Sequence, residues 1–450
     1  MTSTNHPELQ KAFAAAPRPH ILMITNHGVH QWQVIPGLPD TGGQNVFVNQ
    51  FSQALAEQGF KITIVNRGGY PHPRSGTLRR GVDYKDSHQR ILLLEDDDPR
   101  FIRKEEMNAQ LPTLAEDLKA RLSAGEADID MIISHYWDGA RLGALFNRSR
   151  AGRASHIWVP HSLGSIKKSN VSPDRWGDLR IDERIAVERE LVEQVDAIAA
   201  TSTAIRRALM EDYGYQAEPL FLPPCVDPAR YHPRRLDEDD PIWPFLETHC
   251  GLSVAEIRAA KTITEISRTD TTKRKDVLIR AFARIQEQHP GTFLVVTIDE
   301  SNPGLAGELK ALIRSLGVER RVAVLGSVWE ELPRIYAATD IYCTPSVMEG
   351  FGMSAQEAAA TGVPVVASDL VPFVNEYLLG DAVKSDQGLR LGDGAIIAPA
   401  DDVDAFTRAL DILLSDEALR SEMGQRAYEI TIPRFTWEQV VSEFLESQEF

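Results

Sequence analysis

The chain has 450 residues, with 48 Lys plus Arg against 65 Asp plus Glu, a net charge of −17 and a hydrophobic fraction of 43%. That composition suits two or three globular domains with sizeable cores, and it excludes a collagen-like, disulfide-dense or globally disordered chain. The acidic balance argues against nonspecific binding to nucleic acid or an anionic membrane, while leaving room for a local basic pocket.

The three cysteines, Cys225, Cys250 and Cys343, form no CxxC pair and no even-numbered disulfide framework. A reducing, cytoplasmic compartment is the expectation. Residues 1–19 lack the long apolar run of a secretory signal. No apolar stretch approaches the roughly 20 residues that span a bilayer, so no membrane span is expected.

In chain order, HILMITNHG at 20–28 reads as a parallel strand covered on both faces. A Gly/Pro loop follows at 34–43. Helical spacing through Val46, Phe47, Phe51 and Leu55 then ends at Gly59, a plausible left-handed C′ residue. FKITIVNRGG at 60–69 is the next strand, which completes a β-loop-α-β unit. Further strands are expected at 91–95, 130–136, 156–162 and 197–203, with a helix at about 181–195. The first Rossmann-like domain therefore runs over 1–225. Residues 226–262 carry YHPRR, the acidic run DEDD and PIWPF, and read as a linker or small insertion. The alternation restarts with strands at 262–268, 292–298, 321–326, 340–346 and 363–368 and helices at 276–288 and 305–317. This second Rossmann-like domain covers 263–425, and 426–450 form a helical tail expected to cross back to the first. The fold class expected is α/β, with two doubly wound domains facing a cleft.

Four groups of residues carry candidate chemistry. Asp40-Thr41-Gly42-Gly43 follows a strand and opens a helix, so glycine amides and a helix N-terminus can meet an anion. A tight turn that needs glycine explains the same residues. Arg268 ends a strand and Lys273 lies five residues on, a fork and a compact charge that suit a diphosphate. In Glu349-Gly350-Phe351-Gly352 the glycines can present amides to phosphate. Glu349 and Glu357 can accept from sugar and ribose hydroxyls, although Ser354-x-x-Glu357 also fits a helix capping box. Arg67, Lys104, Lys167 and Arg184 are first-domain cations that suit an anionic second substrate, and His27, His135 and His161 each follow a strand. No P-loop, HExxH or serine-hydrolase elbow accompanies them.

The segments PDTGGQNVFVNQ (39–50), FIRKE (101–105), SHYWDG (134–139), HSLG (161–164), SRTDTTK (267–273) and EGFGMSAQE (349–357) occur in one order across residues 20–425. Together they resemble the retaining GT-B glycosyltransferases of family 4, in the group of sucrose-phosphate synthase, sucrose synthase and mannosylfructose-phosphate synthase. The resemblance implies transfer of a hexosyl group, glucosyl rather than mannosyl, from a nucleotide diphosphate sugar to a small sugar, polyol, glycerate or phosphorylated acceptor. It implies no cofactor beyond the donor co-substrate and no essential Mg²⁺. Partners would be small molecules, not nucleic acid; a homo-oligomer is compatible with the sequence but not derivable from it.

By the same resemblance, Gly42 and Gly43 would place amides near the donor phosphate, and Arg268 and Lys273 would neutralise the diphosphate. Gly350, Phe351 and Gly352 would line the donor, Glu349 would contact its sugar and Glu357 its ribose. His161 would turn its backbone carbonyl toward the developing positive charge. Arg67, Lys104, His135, Lys167 and Arg184 would contact the acceptor. The chain departs from the sucrose-phosphate synthases in reading EGFG for EPFG and HYWD for HYAD, and in the 233–262 insertion. These departures bear on the acceptor more than on transfer. Alternatives are a sucrose-phosphate synthase proper using fructose 6-phosphate, a nucleotide-sugar epimerase of the same shape, and a noncatalytic nucleotide-sugar-binding protein. The HSLG, SRTDTTK and EGFG set discriminates against the epimerase, and assay separates binding from turnover.

Overall fold

The computed structural model describes residues 7–35, 38–122, 128–150, 153–300, 302–380 and 383–448. Residues 1–6 of the N-terminal stretch, 36–37 of the Gly/Pro loop and 449–450 of the tail lie outside the described residues. Two compact units make up the chain: residues 1–224 with 437–450, and residues 225–436.

In the first unit the strands are β1 (His20–Ile24), β2 (Lys61–Arg67), β3 (Gly81–Tyr84), β4 (Gln89–Leu94), β5 (Met131–His135), β6 (Ser155–Val159), β7 (Ala197–Ala200) and β8 (Leu220–Phe221). Among the described residues they form one sheet in the order β3-β4-β2-β1-β5-β6-β7-β8. It is parallel except at β3, which closes one edge antiparallel to β4. β1 and β5 are buried throughout, as an inner parallel strand covered by helices on both faces must be. The expected helix spans Gly43–Glu57, and Gly59 at φ 97° supplies the left-handed residue that ends it. The terminal helix Trp437–Glu446 belongs to this unit: the Trp437 ring stacks on Phe51 and Phe444 meets it edge-on.

The second unit contains β9 (Lys261–Glu265), β10 (Thr292–Thr297), β11 (Val322–Leu325), β12 (Ile341–Thr344), β13 (Val365–Ser368), β14 (Lys384–Asp386), β15 (Leu389–Leu391) and β16 (Ala395–Ala398). Their order is β11-β10-β9-β12-β13-β16-β15-β14, with the last two pairings antiparallel. Residues 226–262 form no bare linker. They carry the helices Ile242–Glu247 and Val254–Ala259, and Tyr231, Ile242, Leu246, Leu252 and Ile257 are buried in this unit's core. Their apolar positions were masked in the sequence by the surrounding Arg, Asp and Pro.

Candidate active site

In the first unit the parallel register brings the functional loops together at the carboxyl ends of three neighbouring strands. Ile24 pairs with Ser134 and His135 with Val159, so the residues just beyond β1, β5 and β6 are neighbours. His161 lies two residues past β6 in the left-handed region, at φ 56°. A β-unbranched but bulky side chain there is uncommon, and such strain concentrates at functional turns. Its Nε2 lies 2.9 Å from Nδ1 of His135, and the rings stack at 5.2 Å. Burial pushes the His161 pKa down to about 3, helped by His27, and holds His135 well below the ordinary value. Both imidazoles are therefore neutral at pH 7, and one N–H donates to the other ring.

Of the five acceptor candidates, Lys104, Lys167 and Arg184 line one small, narrow hollow, with Arg180, Glu105, Glu183, Tyr136, Trp137 and Leu179. Arg184 is buried. Its Nε donates to Glu188 at 2.7 Å, one terminal nitrogen bonds the Tyr136 hydroxyl at 2.5 Å, and the other bonds the Ser162 carbonyl at 2.7 Å. Lys104 donates to Asp40 at 2.5 Å. Burial opposes its charge, but the Asp40 carboxylate outweighs that and raises its pKa. Lys167 has only a 3.5 Å contact with Glu105, and burial together with Arg184 and Lys104 lowers its pKa. An anion placed there would reverse that shift.

His135 is not in this hollow; it buttresses His161. Arg67 is not there either. It is 1% exposed, its guanidinium grips Asp96 through two bonds of 2.6 and 2.7 Å, and it also donates to the carbonyls of Asp98 and Arg100. Four of its five N–H donors are thereby used within the unit. Arg180, which sequence reasoning passed over, does line the hollow. It is the N-cap of the helix Ile181–Val192, in left-handed backbone at φ 44°, four residues before Arg184.

The Gly loop meets its helix as expected. Gly42 is the N-cap in extended backbone and has no side chain to cap the helix; its own N–H donates to Asn45 Oδ1 at 2.9 Å, and a Cβ at Gly42 or Gly43 would meet nothing within 4 Å. Gly28 fixes the loop's approach: at φ 73° a Cβ there would stand 2.2 Å from the Asp40 carbonyl oxygen.

In the second unit β9 and β12 are adjacent, and their following loops are stitched together by Val347 N donating to the Thr272 carbonyl at 2.8 Å. That contact brings Lys273 to Glu349, with a 2.5 Å ion pair. Arg268 is exposed and makes no ion pair among the described residues. The helix Met353–Ala360 starts from Gly352 at φ 111°, again without a side-chain cap, so its first-turn amides and dipole are available to an anion. The capping box read from Ser354 and Glu357 is not formed. Gly352 takes the N-cap position, which puts Ser354 two residues into the helix. Glu357 instead accepts from the Tyr336 hydroxyl at 3.0 Å, and burial pushes its pKa up to about 7. Phe351 turns its ring into an aromatic cluster with Phe373, Tyr377 and Phe435, so only its backbone could face a donor.

Among the described residues, no group of three or more His, Cys, Asp or Glu could hold a metal ion, and no helix is long and apolar enough to cross a membrane. Two Rossmann-like units with cation- and glycine-bearing loops at strand ends are suited to binding phosphorylated ligands. Comparison with known proteins is consistent at every level. Residues 41–230 match the family described as Glycosyltransferase Family 4, and residues 255–430 match Glycosyl transferases group 1. The mannosylfructose-phosphate synthase of Agrobacterium fabrum is 29% identical over 78% of this chain and 76% of its own. A D-inositol 3-phosphate glycosyltransferase of Corynebacterium efficiens is 28% identical over 93% and 92%. The sucrose-phosphate synthase structure from Thermosynechococcus elongatus superposes with a TM-score of 0.74 at 22% identity, covering 96% of this chain and 98% of that one. The chain is a GT-B glycosyltransferase, related to the family 4 and group 1 enzymes.

Proposed function

We propose that the protein transfers a hexosyl group, glucosyl in the first instance, from a nucleotide diphosphate sugar to a small polyol or sugar that carries a phosphate or carboxylate, with retention at the anomeric carbon. The observation that carries this reading is the first-unit hollow. Lys104, Lys167, Arg180 and Arg184 line it in a chain of net charge −17. Relatives that include a mannosylfructose-phosphate synthase and a D-inositol 3-phosphate glycosyltransferase favour a phosphorylated product or acceptor. The buried cysteines Cys225 and Cys343 suit a cytoplasmic setting.

On this reading Arg268 and Lys273 stabilise the charge that develops on the leaving diphosphate, with the amides at Gly43 and at Gly350–Gly352. Glu349, beside Lys273, holds a sugar hydroxyl, and Glu357 holds the ribose. The carbonyl of His161, set by its left-handed backbone, faces the oxocarbenium-like carbon. The acceptor hydroxyl attacks on the face the diphosphate leaves, and a diphosphate oxygen takes its proton. The side chains and amides already supply positive charge, so chelation with EDTA should leave the rate within about twofold.

The test is transfer from nucleotide diphosphate glucose to matched phosphorylated and neutral polyols, with the product anomer read by proton NMR. A phosphorylated acceptor should give the higher kcat/KM. Lys167→Ala should raise the acceptor KM about tenfold and leave the donor KM unchanged. Equal use of the neutral acceptor, unaffected by Lys167→Ala, would show that the hollow is not the acceptor's anion site. An inverted product would sink the mechanism.

A further inference from the structure

His27 and Asp138 form a pair that none of these roles uses. His27 lies three residues past β1 and Asp138 three residues past β5, and the Ile24–Ser134 register sets them side by side. Nδ1 of His27 is 2.9 Å from Oδ1 of Asp138. Asp138 is fully buried, and its other oxygen, Oδ2, has no hydrogen-bond partner. A buried carboxylate with one orphan oxygen costs stability, so its retention calls for a reason beyond packing. The pair also has a particular address. The His27 ring meets Tyr136 edge-on at 4.7 Å, and Tyr136 walls the basic hollow. Asp40, the partner of Lys104, and His161 both lie within electrostatic reach of His27.

A carboxylate at Nδ1 accepts a hydrogen bond from that N–H. In the neutral imidazole this fixes the tautomer in which Nε2 is an acceptor. Nε2 of His27 has no hydrogen-bond partner among the described residues, and it is not among the sealed orphan atoms. We propose that His27 is a substrate-contacting residue whose Nε2 accepts a hydrogen bond from the acceptor's attacking hydroxyl, and that Asp138 is the positioning residue that sets its tautomer. The contact aligns the hydroxyl and removes rotational freedom before attack. His27 keeps no proton; that proton passes to the leaving diphosphate. This inference rests on the glycosyl-transfer reading above.

Two isosteres separate substrate contact from structural support. In His27→Asn the amide nitrogen sits where Nδ1 was and can still donate to Asp138, but nothing reaches the place of Nε2. In His27→Gln the side-chain end reaches the place of Nε2 and can accept there, while the bond to Asp138 is lost. Each is assayed for transfer to the acceptor and, separately, for hydrolysis of the nucleotide sugar without acceptor; thermal melting monitors the fold. We expect His27→Asn to lose at least 30-fold in acceptor kcat/KM, with the donor KM and hydrolysis rate within twofold of the parent. His27→Gln should recover several-fold of that loss although it melts lower. Asp138→Asn, whose amide can donate into Nδ1 and favour the wrong tautomer, should lower kcat more than it raises the acceptor KM. The contact is refuted if His27→Asn transfers within threefold of the parent, or if activity follows melting temperature so that Asn exceeds Gln. Should the parent prefer a neutral polyol, the phosphate reading fails while the same comparison still decides the role of His27. Donor hydrolysis with no transfer to any polyol overturns both.

Discussion

At the level of single side chains, the second unit divides its charged residues into two kinds. Arg268 is exposed and makes no ion pair among the described residues, so removing it should not disturb the fold. Arg268→Ala should lose about 100-fold in kcat/KM, as expected for a transition-state contact of about 3 kcal/mol, with an unchanged melting temperature. A loss below threefold would take it out of the mechanism. Glu357 is the opposite kind. Burial raises its pKa to about 7 from a reference of 4.5, against the Tyr336 and Tyr231 hydroxyls and the charge of Arg230. The folded protein then binds this proton more tightly than the unfolded chain. Its contribution to stability is therefore full below about pH 4.5, declines as pH rises, and is lost above pH 7. The cost there is on the order of 2–3 kcal/mol. Glu357→Gln should consequently melt a few degrees above the parent at pH 8 and level with it at pH 4.5. The same ionisation should strengthen nucleotide binding as pH rises through 7, because ribose hydroxyls donate best to a carboxylate. Calorimetry across pH 5–9 reads both, and a flat affinity profile would detach Glu357 from the ribose.

Elements decide what those side chains can reach. Gly352 starts the helix Met353–Ala360 at φ 111°, and a Cβ there would meet Val371 at 2.7 Å, whereas Gly350 has open space on all sides. Gly352→Ala should cost about 1–3 kcal/mol from left-handed strain and crowding and also turn the first amides away from the donor. Gly350→Ala should leave the melting temperature within about a degree, and any loss of activity there would report on the donor directly. Periodicity and glycine placement made the strand-loop-helix units legible in the sequence, along with the loops that bear Gly43, Lys273 and Glu349. Register was not legible. Arg67 reads as a free cation after a strand. Pairing Arg67 with Leu94 across β2 and β4 lays the acidic run after β4 against it, and Asp96 takes the guanidinium. The helix does begin within a residue of Ser354, but the capping box there did not form, because Gly352 in the left-handed region takes the N-cap two residues earlier. Asp138 was hidden because its partner is 111 residues away.

At the scale of the molecule, chain order and structural unit part company at the C-terminus. The second unit is continuous, residues 225–436, while the first is completed only by residues 437–450. The returning helix covers an apolar face of the helix Gly43–Glu57 with Trp437, Val441 and Phe444, and the Trp437 ring also meets Phe47 edge-on at 5.0 Å. Phe47 in turn packs edge-on against His161 at 4.9 Å. The tail thus supports both the core of the first unit and the ring behind the transfer site. Val441 and Phe444 are fully buried, and side chains of this size then contribute about 1.5–3 kcal/mol each; the half-buried Trp437 adds less. Truncation after Thr436 should therefore lower the melting temperature of the first unit substantially and abolish transfer, while residues 225–436 expressed alone should still fold cooperatively and bind nucleotide. Trp437→Ala is the milder form of the same experiment. Because Trp437 is only half-buried, the change should cost less than the roughly 3–5 kcal/mol of a large-to-small core substitution, leave nucleotide binding to the second unit intact, and reduce transfer through loss of support for Phe47 and His161. Differential scanning calorimetry with nucleotide titration distinguishes the units. An unaltered melting profile in the truncated chain would mean that the tail contributes nothing to the first core, and that the packing of Phe47 against His161 is maintained without it.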